Sequence, residues 1–324
     1  MSEAVLRIRN LDVDYPTRVG VLRAVDDVSL TVSRGEVVGL VGESGCGKST
    51  LGMAVLRLLR PPGKITGGEI IFDGKNLLEL DDEGMRQLRG AHISTVFQDP
   101  MTCLNPLQRI SDHIVETIRT HLDVSKQYGR ARAAELIDRL GIADERLDDY
   151  PHQLSGGMRQ RVMIGLALAL DADLIIADEP TTSLDVIVEA QFLDLLRELQ
   201  RLLGLTIILI THNIGVVAEM ADRVAVMYAG KLVEVADVHP LFHKPQHPYT
   251  QGLLSSVPNI KLTDDKLHIM HGSPPDLIDP PPGCRFHPRC PHVMDICRDE
   301  VPVFKEYETD HWIACWLYER ESDV

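Results

Sequence analysis

Gly42-Glu43-Ser44-Gly45-Cys46-Gly47-Lys48-Ser49 fits the pattern G-x-x-x-x-G-K-[ST], a phosphate-binding loop. Its glycines let backbone N–H groups converge on one point. Lys48 can reach the β- and γ-phosphates of a nucleoside triphosphate, and the Ser49 hydroxyl can ligate Mg2+. A plain glycine-rich turn is the alternative, so the surroundings decide. Val37 to Val41 is a short apolar run that predicts a buried strand, and Thr50 to Leu59 predicts a helix whose N-terminus adds positive potential. Strand, glycine loop and helix are the context the motif needs.

Further groups with matching chemistry follow along the chain. Leu174 to Ala177 predicts a second buried strand, ending in Asp178-Glu179. Asp178 would hold the Mg2+ site through water, and Glu179 would polarise the attacking water as general base. Taken alone, the pair could be a solvated turn. Leu154-Ser155-Gly156-Gly157-Met158-Arg159-Gln160 opens an apolar helix with a serine and two glycines, a second anion site. One nucleotide does not need two phosphate cradles on one chain, so this one would face another subunit's nucleotide. Ser155 as an ordinary N-cap is compatible with that. Tyr15 closes the first strand and either stacks on adenine or is a surface strand tyrosine. His212 ends a further strand, where a lone histidine is usually structural.

The elements that must position these groups are readable as a coarse outline. Leu6 to Tyr15 and Val25 to Val32 alternate apolar and polar residues as half-buried strands. Gly67 to Gly74 predicts a strand and turn, and Ile93 to Phe97 a strand ending at Gln98. A mostly helical region runs from about Ile110 to Arg146, with Ala131, Ala134, Leu136, Ile137 and Leu140 at helical spacing and Gly141 as its stop. Val188 to Leu203 predicts an amphipathic helix, Leu205 to Ile210 a buried strand, and Val224 to Tyr228 with Lys231 to Val235 a hairpin around Ala229-Gly230. Beyond about Val238 proline becomes dense, which rules out a long helix or a central strand.

The 324 residues suggest about two domains. The net charge of −15 gives no general attraction to nucleic acid. The longest clean apolar run, Val162 to Leu170, is too short to cross a bilayer, and Met1 to Arg7 has no signal-peptide pattern. The expectation is a cytosolic chain, with other subunits providing any membrane spans.

Together the phosphate loop, Gln98, Leu154–Gln160, Asp178-Glu179, Ser183-Leu184-Asp185 and His212, in this order, resemble the ATP-binding-cassette (ABC) ATPases over about residues 5 to 237. The resemblance implies an α/β P-loop NTPase fold. An antiparallel β subdomain, a helical subdomain at about residues 100–170 and, after residue 237, an irregular C-terminal extension over 238–324 complete it. It implies that Tyr15 stacks on adenine and that Gly42, Ser44, Gly45, Cys46, Gly47, Lys48, Ser49 and Thr50 hold the phosphates of ATP. Ser49 and Gln98 would ligate Mg2+, with Gln98 also sensing the attacking water and the membrane partner. Ser155, Gly156 and Gly157 would clamp the γ-phosphate on the opposite subunit, Asp185 would couple the two sites, and His212 would contact the γ-phosphate. With Glu179 and the signature both intact, the chain should supply working halves to both sites.

Gln98 to Pro106, Tyr150 to Leu154 and His247-Pro248-Tyr249-Thr250-Gln251 narrow the resemblance to the oligopeptide/dipeptide importer subfamily, as its D-type ATPase subunit. Cys103 stands where that subfamily usually has serine, and Asn213 where it usually has aspartate. The implied partners are a second cassette ATPase, a paralogue in the subfamily's pattern, two membrane permeases and an extracytoplasmic substrate-binding protein, at the cytoplasmic face of the membrane. Nickel or oligosaccharide cargo, or a soluble cassette protein without transport, are the alternatives.

Cys284, Cys290, Cys297 and Cys315 cluster near the end without a C-x2-C knuckle, a poor match to ordinary zinc modules. The subfamily resemblance implies a [4Fe–4S] cluster with a structural role, with zinc or unligated thiols as the alternatives. His287, His292 and His311 lie near in sequence and are expected to serve as hydrogen-bonding groups.

Overall fold

The computed structural model describes residues 3–97, 99–182, 184–256 and 270–318. The described residues form twelve strands: β1 (Ala4–Pro16), β2 (Val21–Ser33), β3 (Val37–Val41), β4 (Lys64–Phe72), β5 (Lys75–Asn76), β6 (Ile93–Val96), β7 (Leu174–Asp178), β8 (Thr206–Ile210), β9 (Arg223–Tyr228), β10 (Lys231–Asp237), β11 (Lys305–Glu308) and β12 (His311–Ile313). The chain divides into two compact units. The signature unit comprises Met1–Glu3, Ser33–Glu36 and Glu79–Leu209; the loop unit comprises Ala4–Val32, Val37–Leu78 and Ile210–Val324.

In the loop unit, β1 and β2 alternate buried and exposed residues, as half-buried strands must. With β4 and β5 they form a four-stranded sheet in the order β2-β1-β4-β5, where β1 pairs antiparallel with β4. The expected antiparallel β subdomain is this sheet. The other strands of the unit lie in the order β11-β12-β10-β9-β3, with β3 parallel to β9. All five residues of β3 are buried, which explains its unbroken run of Val, Gly and Leu. The β9–β10 hairpin turns at Ala229 (φ 48°) and Gly230 (φ 86°), the left-handed pair that a tight two-residue turn needs.

In the signature unit, β8, β7 and β6 are neighbours in that order, and β6 runs parallel to β7. Helix Ile110–His121 buries Ile110, Ile114, Val115 and Ile118 along one face. Helix Lys126–Arg139 starts at Ser125, whose Oγ accepts from Tyr128 N at 3.1 Å. Its buried face is Gly129, Ala133, Leu136 and Ile137, so Ala131, placed on that face by sequence spacing, is exposed instead. Alanine is a good helix former in either environment and marks a face poorly. Helix Val186–Leu203 is capped by Asp185, ends at Gly204 (φ 64°) and buries Phe192, Leu193, Leu196 and Leu199.

The Pro-rich region after residue 237 begins with helices Val238–His243 and Pro248–Ser255. It also contributes strands, which its composition did not announce. β12 adds to β10 with Glu234 opposite Ile313 and Val235 opposite Trp312, and β11 pairs with β12. No helix among the described residues is long and apolar enough to cross a membrane.

Candidate functional site

The phosphate loop follows β3 directly and is packed against backbone. A Cβ on Gly42 would lie 2.1 Å from Met227 O, and one on Gly47 would lie 2.2 Å from Ala24 O. Both positions also have positive φ, 151° and 107°. Glycine is therefore required there twice over, by space and by backbone conformation. Lys48 is buried, and its Nζ donates to Gly42 O at 2.8 Å and Glu43 O at 3.1 Å. Cys46 is buried beneath the loop, where burial pushes its thiol up, while Ser44 and Gly45 are exposed. Helix Lys48–Val55 begins at Gly47 with no side-chain cap, and Ser49 is exposed in its first turn beside the half-buried Thr50. An ammonium held by loop carbonyls and an uncapped helix start are a donor set that fits a phosphate chain.

Two other expected residues belong to the loop unit. Tyr15 is half-buried at the end of β1, its ring against Gly63, where an added Cβ would meet Cε1 at 2.5 Å. His212 is exposed just after β8. Asn213 caps the helix that follows, its side chain accepting from Gly215 N at 3.0 Å. Asparagine thus does the capping work of the aspartate expected there.

The signature unit carries the rest. β7 buries Leu174–Ala177 and brings Asp178 and Glu179 out half-buried at its end. Glu179 has φ 46°, and its Oε2 accepts from Thr182 Oγ1 at 2.9 Å. Ser155 caps helix Gly156–Ala167, accepting from Met158 N at 3.3 Å. Gly156 is exposed with open space around it, whereas a Cβ on Gly157 would come 2.6 Å from Val188 Cγ1. Asp185 spends one carboxylate oxygen on Ile187 N (3.1 Å) and Val188 N (3.0 Å). Gln98 and Ser183 lie outside the described residues.

The iron–sulfur expectation is corrected. Among the described residues no group of three or more His, Cys, Asp or Glu side chains is placed to hold a metal ion, and Cys284, Cys290, Cys297 and Cys315 are free thiols. A cysteine ligates as thiolate. Burial pushes the Cys284 thiol up to about 11 and the Cys315 thiol up to about 12, and raises Cys290 as well. Buried polar contacts tie the segment down. Glu234, with no exposed surface, accepts from Gln246 N (2.8 Å) and His247 N (3.0 Å) and is 2.8 Å from His311 Nε2. His287 Nδ1 lies 3.0 Å from Cys284 O, so His287 and His311 serve as hydrogen-bonding groups.

Sequence reasoning missed residues that meet the phosphate loop from the C-terminal region. Tyr249 Oη accepts from Glu43 N at 2.8 Å, and Arg289 grips the Glu43 carboxylate through Nη1 (2.8 Å) and Nη2 (2.9 Å). A pair separated by 246 positions leaves no local pattern. The His247–Gln251 motif was a signal that could have pointed there, since His247 caps the helix that presents Tyr249.

Comparison with known proteins agrees with these features. A family model described as ABC transporter matches residues 25–182, and one described as oligopeptide/dipeptide transporter, C-terminal region, matches residues 233–297. The dipeptide transport ATP-binding protein DppD of Bacillus subtilis is 47% identical, covering 99% of this chain and 97% of its own length. The oligopeptide transport ATP-binding protein OppD of the same organism is 44% identical, covering 97% and 88%. Escherichia coli DppD is 45% identical, covering 93% and 92%. Among solved structures, the dimeric ATP-binding cassette MJ0796, in a post-hydrolysis state bound to ADP and Pi, aligns with a TM-score of 0.65 at 29% identity over 72% of this chain and 98% of its own. CbiO1 from Clostridium perfringens, part of an ABC transporter complex, aligns with a TM-score of 0.65 at 30% identity over 75% and 92%. Matched nearly end to end at this level, the chain belongs to the ATP-binding proteins of ABC transporters, in the oligopeptide/dipeptide transporter family.

Proposed function

We propose that this protein is the ATP-hydrolysing subunit that powers import of dipeptides or oligopeptides, as the D-type ATPase at the cytoplasmic face of the membrane. The observation that carries the cargo class is the match of the C-terminal region to the oligopeptide/dipeptide transporter model, beside relatives named for dipeptide and oligopeptide transport. ATP hydrolysis coupled to transport follows from membership of the family. Residues 1–237 act as the motor, with the signature-bearing subdomain at about 100–170, and 238–324 as an extension; the two family matches support that division.

The roles of the residues follow from their chemistry. Lys48 and the amides of Gly42–Thr50 bind the phosphates, and Tyr15 stacks on the base. Mg2+ bound with the nucleotide neutralises phosphate charge; Ser49, Gln98 and Asp178 are the residues that would hold it. Glu179 takes a proton from the attacking water and His212 steadies the γ-phosphate. Ser155, Gly156 and Gly157 present a capped helix start to the nucleotide of a partner ATPase, with Asp185 linking the sites. Closure around ATP and reopening after hydrolysis drive two permeases that receive cargo from a binding protein.

The test is affinity purification of the full chain from detergent-solubilised membranes, with identification of what accompanies it. Two permeases and a second cassette ATPase are expected, and a peptide-binding protein fixes the cargo. Recovery only in the soluble fraction with ribosomes or nucleic acid would overturn the transport reading. Co-purification with a nickel- or sugar-binding protein would overturn the peptide cargo alone.

A further inference from the structure

Glu43 is the second residue of the phosphate loop, and every polar group it has is fastened. Its N–H donates to Tyr249 Oη (2.8 Å), its carbonyl accepts from Lys48 Nζ (3.1 Å), and both carboxylate oxygens are taken by Arg289 (2.8 and 2.9 Å). Arg289 is itself fixed: its side chain is 6% exposed, Nε donates to His271 O at 3.2 Å, and Nη1 donates to Tyr228 Oη at 3.3 Å. Tyr228, Tyr249 and Phe286 pack as a ring cluster beside it, with centroids 4.5 to 5.5 Å apart. Arg285, one turn earlier, donates to Ala229 O and to Asp26, and the adjoining Gly230 N donates to Cys46 O at 2.9 Å. The extension thus reaches the loop directly through Arg289, and Arg285 holds the β9–β10 turn that bonds to it.

A carboxylate on the loop whose own carbonyl holds Lys48 is a hazard for a site that binds a polyanion. Left unpaired, it repels the phosphates and competes for the Lys48 ammonium. A two-pronged guanidinium pair satisfies both oxygens in a fixed direction. We propose that Arg289 is a positioning residue for nucleotide binding: it neutralises and immobilises the Glu43 carboxylate, leaving Lys48 and the loop amides to the phosphates. ATP affinity is thereby tied to the docking of the C-terminal extension. The inference rests on the loop's role in binding ATP.

The test is titration of the full-length protein and its variants with Mg2+·ATP, alongside steady-state hydrolysis. Arg289→Gln is expected to raise Kd and KM about 10-fold or more while kcat at saturating ATP changes by less than about threefold, because the group acts on binding and not on the reacting atoms. Arg289→Lys, which keeps the charge but loses the fork, falls between. Adding Glu43→Gln to Arg289→Gln removes the stranded charge and recovers most of the lost affinity. An unchanged Kd in Arg289→Gln, with wild-type protein binding ATP normally, overturns the inference and leaves the ATPase standing. A loss that Glu43→Gln fails to restore also overturns it, since the arginine would then be only a structural tie. If Arg289→Gln does not fold, the comparison of Arg289→Lys with and without Glu43→Gln decides by the same criterion.

Discussion

Glu179 adopts a left-handed backbone conformation, φ 46°, which a non-glycine residue takes at a cost. The turn presents its carboxylate at the end of β7 with one oxygen steadied by Thr182. In its proposed role as base, Glu179 would be needed for proton removal but not for holding the nucleotide. Glu179→Gln should lower phosphate release about 10²- to 10⁴-fold while ATP binding survives, read by paired turnover and binding assays. Tyr15→Ala should raise KM for ATP by about five-fold or more through lost stacking, and Tyr15→Phe should retain most of the affinity. Residues of this kind were legible in the sequence because each sits in a short contiguous motif whose spacing reflects local geometry. Lys48, Ser155 and Asp178 needed only their neighbours to be proposed for their roles. Glu43 and Arg289 did not share that advantage: in the motif Glu43 is a free position, and its partner is on the far side of the chain.

At the scale of elements, polar anchors hold the C-terminal segment to the rest of the loop unit. Glu234 is the hub, with two backbone amides and His311 directed at it. Glu234→Ala would strand those donors in a buried site and should cost about 2–4 kcal/mol in urea unfolding, with Glu234→Gln milder. His247, beside that hub, accepts from Tyr249 N through Nδ1 at 3.0 Å, and burial pushes its imidazole down to about 4. The folded group therefore protonates less readily than the unfolded one, whose pKa is about 6.5. Its contribution is complete above about 6.5 and is lost as pH falls towards about 4. His247→Asn, which keeps a capping acceptor, should flatten the pH dependence of stability in that window; an unchanged slope would assign it to other groups. Sequence reading of this region was weakest. Proline density correctly ruled out long regular elements, but the cysteines suggested a metal where buried polar contacts do the holding. β11 (Lys-Glu-Tyr-Glu) is too polar and β12 (His-Trp-Ile) too short to signal a strand, and the pairing of β12 to β10 is decided by partners far away in sequence.

At the scale of the whole molecule, the loop, Tyr15 and His212 lie in one compact unit, and the signature, Asp178, Glu179 and Asp185 lie in the other. The order of motifs made the fold class legible before any element was placed, because each motif requires a particular strand or helix before or after it. A chain acting in a pair should associate when ATP is bound and cannot be split. Glu179→Gln with ATP should therefore run as a dimer, alone or with its paralogue, in light-scattering chromatography, and wild-type protein with ADP as a monomer. A monomer under both conditions in the presence of the paralogue would remove the paired mechanism.

Of the six cysteines, Cys103 alone is exposed; Cys46 and Cys297 are buried, and Cys284, Cys290 and Cys315 are partly covered. Burial raises the thiols of Cys46, Cys284, Cys290 and Cys315, and partial burial raises that of Cys103 too, so it is exposure that sets Cys103 apart. The native chain thus comes with a single natural attachment point at the end of the short helix Pro100–Cys103, close in sequence to Gln98. A maleimide dye should couple there in a fast phase of about one equivalent, and the remaining sites should open to it only in denaturant. Fluorescence from that dye would then follow the nucleotide cycle in real time without a single engineered residue.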